Sequence, residues 1–229
     1  MATVAIVGPD GSGKTTLIKR IVQSDARFRR LYMGVSRESS NFMLPTTWLL
    51  RKIQRSKKSP GSSKKPKLKG LDEFRSNKKR SFFGKLARLI HRLSEEWFRQ
   101  ILSWYFQASG RIVIYDRHFL VDFSLKPPSK ENRFDVRIHE FVLRHIYPSP
   151  DLVLCLDAPS EVLLERKQEF TKERLDWMRE GYSNLSQLIP NVKYIDATQS
   201  IDAVLQESLQ HIRSELKIGV AQAAPENTN

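Results

Sequence analysis

The chain has 229 residues, of which 40% are hydrophobic, and this length and composition suit one α/β domain with an insertion. Its formal net charge is +14, its single cysteine excludes a disulfide within the chain, and no run reaches the roughly 18 apolar residues of a membrane-spanning helix. The N-terminus enters a strand pattern without a signal peptide, so we expect a cytoplasmic protein.

The first predicted elements are a strand over 2–8 and a helix over 13–23, and the loop between them fits the phosphate-binding pattern G-x-x-x-x-G-K-[ST]. The loop and the residue after it are Gly8, Pro9, Asp10, Gly11, Ser12, Gly13, Lys14, Thr15 and Thr16. The glycines allow consecutive backbone N–H groups to face phosphate oxygens, and the helix N-terminus adds positive charge. Lys14 can contact the β- and γ-phosphates of ATP, and the Thr15 hydroxyl can bind Mg²⁺. Asp10 can serve the metal or an acceptor hydroxyl, and a simple turn residue is the alternative.

A second strand is predicted over 30–35, and Arg37 follows it as a candidate contact to a phosphate acceptor. Residues 51–80 hold 13 Lys and Arg against two acidic residues, so this segment carries a net +11. Its composition predicts a disordered insertion. Two interpretations of the segment stay open. It is either a solvated loop without a specific partner, or a surface that binds an anionic lipid, a nucleic acid or a polyanionic substrate.

Apolar residues at i+3 and i+4 spacing predict a long helix over about 82–108, which Gly110 ends. A third strand over 111–116 ends with Asp116, and Arg117 and His118 follow it. Ligands of open parallel sheets bind beyond the carboxyl ends of the strands. Asp116 can hold Mg²⁺ through water or accept a proton, and Arg117 can bind a phosphoryl group with its planar guanidinium. An ordinary salt bridge is the alternative for this pair. Two interpretations of His118 are equally compatible with the sequence. It either lines the acceptor side as a polar residue or packs inside the protein.

The rest of the chain alternates between helices and strands. The predicted elements are a helix over about 132–147, a strand over 152–156, helices over about 160–167 and 171–188, a strand over 192–195 and a helix over about 200–216. This order predicts a five-stranded parallel sheet with helices on both faces, a three-layer α/β/α fold. We expect residues 1–217 to form one domain and 218–229 a flexible tail. Arg166 and Lys167 belong either to a cationic lid or to a solvated helix face.

In this combination the chain resembles the thymidylate kinase family of P-loop nucleoside-monophosphate kinases. The resemblance is carried by the phosphate loop with Asp at position 10, by Tyr115-Asp116-Arg117, by the run DLVLCLDAP at 151–159 with the helix at 161–166, by REGY at 179–182 and by IDAT at 195–198. It implies a P-loop kinase fold, ATP and Mg²⁺ as cofactors, and transfer of the γ-phosphoryl group to a nucleoside monophosphate such as dTMP.

The resemblance also implies roles at the transfer site. Lys14 and Thr15 would hold ATP and Mg²⁺, and Asp10 and Arg117 would face the phosphate acceptor. Asp116 would assist the metal or the acceptor.

Two further regions take their roles from the same resemblance. Arg166 and Lys167 lie where the family has its lid. The phosphate loop has no arginine of its own, so the lid would supply the cation near the transferred phosphoryl group. Ala197 and Thr198 lie where the family's last loop contacts adenine.

The acceptor half departs from the family pattern. The family's Arg-Glu-Pro-Gly-Gly run is reduced here to Arg37-Glu38, and the basic segment 51–80 falls in the same half. Two other functions therefore stay open, which are a kinase of the same fold that acts on a sugar or other small alcohol, and a P-loop NTPase whose basic insertion binds a polyanion. Self-association as a homodimer also stays open.

Overall fold

A computed structural model describes residues 2–34, 82–124, 134–187 and 189–217 of the chain. The basic segment 51–80, Arg37 and the tail at 218–229 lie outside the described residues. The predictions that the segment is a disordered insertion, that residues 1–217 form one domain and that the tail is flexible therefore stay predictions.

The described residues form a five-stranded parallel sheet, as the sequence predicts. The strands are β1 (Ala2–Val7), β2 (Phe28–Tyr32), β3 (Ile112–Asp116), β4 (Leu152–Asp157) and β5 (Val192–Asp196), in the spatial order β2-β3-β1-β4-β5. β1 is central, and its end pairs Ile6 with Asp116 on one side and Val7 with Cys155 on the other. The carboxyl ends of β1, β3 and β4 therefore lie side by side at one edge of the sheet.

Helices cover both faces of the sheet. In the described ranges they are α1 (Lys14–Ser24), α2 (Phe82–Ala108), α3 (Phe119–Ser124), α4 (Phe134–His145), α5 (Ser160–Arg166), α6 (Lys172–Ser183) and α7 (Ile201–Leu216). Successive residues of β1 alternate between two cores, because strand side chains point to opposite faces. Val4 and Ile6 pack with α1 and α7, whereas Ala5 and Val7 share a core with α3 and α4. The three-layer arrangement is thus confirmed.

The structure departs from the predicted elements most clearly in three places. β2 runs over 28–32 rather than 30–35, because Phe28 is buried in the α1-side core and pairs with Ile112. The short helix α3 was not predicted, since six residues are too few for a helical period to be visible. The predicted helix over 171–188 ends at Ser183, and a separate 3-10 turn spans Leu185–Gln187.

The long helix α2 has the predicted bounds, but it buries charged side chains and exposes several apolar ones. Glu96 and Arg99, with exposed fractions of 3% and 2%, point into the protein. Ile101 and Tyr105, with exposed fractions of 56% and 65%, point outward, as do Ile90 and Trp104. Helices of globular proteins normally bury their apolar stripe. Together, Ile90, Ile101, Trp104 and Tyr105 are called the outward face of α2.

Across the described ranges, no helix combines the length and the apolar character that crossing a membrane requires.

Candidate functional site

The loop between β1 and α1 has a backbone that only glycine tolerates at its tightest points. Gly8 has φ = 140°, and a Cβ atom there would lie 2.2 Å from the carbonyl oxygen of Leu156 on β4. Gly11 has φ = 91°, and its Cβ would lie 2.7 Å from the carbonyl oxygen of Leu163 on α5. Contacts this short exclude a side chain. The loop is therefore held closely against β4 and α5 while it turns into the N-terminus of α1.

Lys14, the first residue of α1, is folded back onto this loop. Its Nζ donates to the carbonyl oxygen of Pro9 at 2.6 Å and lies 3.8 Å from a carboxylate oxygen of Asp10. The side chain is only 7% exposed. Burial lowers the pKa of Lys14 to about 8, although the Asp10 carboxylate opposes this shift. Thr15 and Thr16 follow at the start of the helix and are exposed.

Arg117 joins the phosphate loop from the end of β3. Its Nη2 donates to Oδ1 of Asp10 at 2.7 Å. Burial favours the neutral form of Asp10, but the charges of Lys14, Arg117 and Lys167 outweigh it and lower the pKa of Asp10. Arg117 has φ = 68°, the left-handed region, which costs a non-glycine residue of order 1–3 kcal/mol. Asp10 and Lys14 of the phosphate loop are thus brought together with Arg117 from a distant part of the sequence.

Asp116, also a predicted site residue, is buried and pairs with a residue that the sequence did not single out. Nη2 of Arg30, on the neighbouring strand β2, donates to Oδ2 of Asp116 at 2.5 Å. Arg30 was missed because it lies inside a strand, where motif spacing gives no signal. Its position beside the end of β3 follows only from the order of the strands.

His118 is fully buried rather than open to the end of the sheet. Its ring packs against those of Tyr115 and Tyr147, with centroids 5.5 and 5.9 Å away. The backbone N–H of Leu120 donates to its Nδ1 at 3.4 Å. Burial lowers the pKa of His118 to about 4, so the ring is neutral at physiological pH. This geometry favours the packed histidine, and contact with an acceptor stays a prediction.

Arg166 and Lys167 end α5 and have different surroundings. Nη1 of Arg166 donates to the carbonyl oxygen of Ala197 at 2.8 Å, so it is tied to the last loop. Lys167 lies 3.0 Å from Glu169, and its charge contributes to the low pKa of Asp10. Lys167 therefore acts electrostatically on the phosphate loop.

The last loop is held in place by hydrogen bonds. The backbone N–H and the hydroxyl of Thr198 both donate to Oδ1 of Asp196, at 2.8 and 2.7 Å. At the end of β4, Asp157 accepts two hydrogen bonds from Arg179 on α6, at 2.9 and 2.8 Å. Such bidentate pairs fix both partners in orientation. The sequence reasoning assigned no role to this pair.

The oxygen donors near the phosphate loop suit magnesium bound together with a nucleotide. In the part of the chain that the structure describes, no group of three or more His, Cys, Asp or Glu side chains could hold a metal ion. Mg²⁺ is commonly bound by one or two protein oxygens and by the phosphates of its nucleotide. The Thr15 hydroxyl, the Asp10 carboxylate and the Asp116 carboxylate are donors of that kind.

The chain is similar to curated thymidylate kinases over part of their length. It is 37% identical to the enzyme of Acinetobacter baylyi over 75 residues, which cover 28% of this chain and 37% of the relative. It is 31% identical to a thymidylate kinase of Acinetobacter baumannii over 117 residues, which cover 45% of this chain and 57% of the relative. A probable thymidylate kinase of Thermococcus gammatolerans is 26% identical over 121 residues, 49% and 56% respectively. The matched regions thus span 37% to 57% of these relatives. No family model matches the chain.

Proposed function

We propose a reaction for this chain on the premise that it is a divergent member of the thymidylate kinase family. The protein transfers the γ-phosphoryl group of ATP to a nucleoside monophosphate such as dTMP. The observation that carries this proposal is the convergence of Lys14, Asp10 and Arg117 at the carboxyl ends of β1 and β3. Two cations and one carboxylate meet there beside a loop whose backbone is shaped to surround phosphate.

The donor phosphates bind where the loop enters α1. The loop amides and the helix N-terminus attract the anion, and Nζ of Lys14 exchanges its hydrogen bond to Pro9 for one to a phosphate oxygen. The Thr15 hydroxyl holds Mg²⁺, which neutralises phosphate charge when it is bound. Because phosphoryl transfer needs little covalent chemistry from the protein, positioning and electrostatic stabilisation supply the rate.

The acceptor binds on the Arg117 side of the loop. The Arg117 guanidinium binds its phosphate, and Asp10 keeps that guanidinium oriented through their hydrogen bond. Lys167 supplies the cation of the lid, because its charge already acts on Asp10. Arg166 donates to the carbonyl oxygen of Ala197, and this hydrogen bond supports the proposal that the Ala197-Thr198 loop contacts adenine.

One observation favours the alternative that the acceptor is a sugar or other small alcohol. The family's Arg-Glu-Pro-Gly-Gly run on the acceptor side is reduced here to Arg37-Glu38, and the basic segment 51–80 falls in the same half of the chain.

A phosphoryl-transfer screen decides between these functions. The purified protein is incubated with ATP and Mg²⁺ and with single nucleoside monophosphates, nucleosides or sugars, and products are identified by mass spectrometry. We expect dTDP from dTMP, and none from the Lys14→Ala variant prepared in the same way. A sugar phosphate without any nucleoside diphosphate would establish the alternative. ATP hydrolysis that no acceptor stimulates would point to an NTPase.

The lowered pKa of Lys14 makes capture of ATP dependent on pH. Only the protonated amine attracts phosphate, and a pKa of about 8 means that the free protein loses this charge as the pH rises through that value. We expect kcat/KM for ATP to fall by up to about tenfold per pH unit above pH 8. The kcat value should fall only at higher pH, because bound phosphates favour the charged amine.

The measurement is kcat/KM for ATP from about pH 7 to about pH 10 at constant ionic strength. In the Asp10→Asn variant the decline should begin at lower pH, because Asp10 raises the pKa of Lys14. A constant kcat/KM across this range, or a decline unaffected by Asp10→Asn, would refute the assignment.

We also propose that two copies of the chain associate through the outward face of α2. Its members Ile101 and Tyr105 are more than half exposed, and this face is free of charged side chains from Leu93 to Ala108. Two copies of an uncharged face do not repel each other, and the stretch from Leu93 to Ala108 is about 24 Å long, which allows a helix-to-helix contact. A continuous apolar stripe on the solvent side costs free energy unless a partner covers it.

The Ile101→Glu variant should therefore be monomeric at concentrations where the unaltered protein is dimeric. A buried carboxylate without a partner costs several kcal/mol, which is a large share of the free energy of a dimer of moderate affinity. Sedimentation velocity at physiological salt measures the change. Gln210→Glu, which adds the same charge at an exposed site on α7, is the control. A monomeric unaltered protein, or equal dimerisation of both variants, would contradict the proposal.

A further inference from the structure

Arg30 and Asp116 share the face of the sheet that α1 covers. Phe28 and Ile114 belong to the α1-side core, and strand side chains two residues apart share a face. The register pairs Arg30 with Ile114 and Tyr32 with Asp116. Arg30 therefore extends its side chain toward the carboxyl end of the sheet to donate to Oδ2 of Asp116 at 2.5 Å.

This ion pair lies directly beside the phosphate loop. Asp116 pairs with Ile6 of β1, two residues before Gly8, so the carboxylate lies next to the start of the loop. Within the described residues, Arg30 is the cation that lies within salt-bridge distance of Asp116. Nε of Arg30 is buried and has no hydrogen-bond partner there, so Asp116 is the group that orients the guanidinium.

We propose that Arg30 is a positioning residue that keeps Asp116 from coordinating Mg²⁺ directly, so that Asp116 acts on the metal through water. The inference rests on the proposed ATP and Mg²⁺ site. Oδ2 of Asp116, which accepts from the guanidinium at 2.5 Å, is not free for a metal ion, and the guanidinium charge opposes the binding of a second cation at Oδ1 of the same carboxylate. Asp116 then contributes negative charge and an acceptor for metal-bound water, while the Thr15 hydroxyl binds the metal directly.

Binding of Mn²⁺ to the protein saturated with a non-hydrolysable ATP analogue tests this proposal by electron paramagnetic resonance. Arg30→Gln should bind Mn²⁺ about tenfold more tightly, because it frees the carboxylate and removes a nearby cation. Arg30→Lys should stay within about twofold of the unaltered protein, since it keeps the charge. The matched control is Arg29→Gln on the same strand. Arg29 lies 5.7 Å from the ring centre of Phe106, on the face of the sheet opposite to Arg30. Arg29→Gln should therefore leave the Mn²⁺ affinity unchanged.

Asp116→Asn provides a second test, which also applies if Arg30→Gln fails to fold. The proposal expects this variant to bind Mn²⁺ about tenfold to 100-fold more weakly, which is the loss typical of a partner that acts on a metal through water. In the Arg30→Gln background, Asp116→Asn should remove the tenfold gain. A loss of affinity well above 100-fold in the single Asp116→Asn variant would overturn the proposal, because it exceeds the loss expected for a partner that acts through water. A gain that persists in the double variant would also overturn it.

These outcomes separate this inference from the proposed function. If the unaltered protein transfers no phosphoryl group but the Mn²⁺ affinities change as expected, the proposed reaction fails and the role of Arg30 stands. If phosphoryl transfer occurs and the Mn²⁺ affinities do not change, only the proposed role of Arg30 is overturned. An unaltered protein that binds no Mn²⁺ with the analogue would overturn both.

Discussion

The Lys14→Ala variant is expected to lose about 30-fold to 1,000-fold in kcat/KM for ATP. The substitution removes a charge-assisted contact to the transferred phosphate, which contributes on the order of 2–4 kcal/mol to the transition state. It also removes the amine that now donates to the carbonyl oxygen of Pro9. Initial rates at varied ATP, with the acceptor found in the screen held at saturation, measure the loss.

Lys19→Ala is the matched control for this experiment, because Lys19 lies on the same helix and is exposed. It should keep kcat/KM within about twofold, as expected for a surface substitution. Thermal unfolding of both variants checks that the fold is intact. The donor-site assignment is wrong if Lys14→Ala retains both ATP affinity and turnover.

The second large effect is expected for Arg117→Ala, with a loss of about 100-fold in kcat/KM for the acceptor. A hydrogen bond between a guanidinium and a phosphate is worth about 1.5–3 kcal/mol. Its removal also leaves the Asp10 carboxylate without the partner that it has at 2.7 Å. The KM for ATP should change much less, because Lys14 remains in place.

Two variants define the specificity of this result. Arg111→Ala removes a cation at the opposite end of β3, where Arg111 donates to the carbonyl oxygen of Ala26, and it should not change acceptor kinetics. Arg117→Lys should recover part of the activity, because it keeps the charge but not the planar fork. Unchanged acceptor kinetics in Arg117→Ala would remove Arg117 from the site.

The donor half of the site could be predicted because its signal is local. Strand, loop and helix are continuous from residue 2 to residue 24, and the backbone of Gly8 and Gly11 is one that only glycine adopts easily. The alternation of apolar strands with helices likewise predicted the five-stranded parallel sheet that the structure confirms. The assignment of individual residues to ATP, metal and acceptor remains a prediction.

The other contacts of the site could not be predicted to the same depth, because they join distant parts of the chain. Arg30 and Asp116 are 86 residues apart, and Arg166 and Ala197 are 31 apart. The burial of His118 favours the packed histidine, and this burial depends on Tyr115 in β3 and on Tyr147 just after α4. Arg37 lies outside the described residues, so its proposed contact with the acceptor stays a prediction.

The helix α2 shows where local and tertiary information separate. Its residues determined a helix over 82–108 by themselves, because apolar side chains at i+3 and i+4 spacing report the helical period. They did not determine which side faces inward, since a charged stripe and an apolar stripe occur on the same helix. Only the tertiary structure decided this, because Glu96 pairs with His139 on α4 and Arg99 with the carbonyl oxygen of Gly34, and these partners draw the charged side into the protein. Local sequence sets the period of a helix, whereas partners distant in the chain set its orientation.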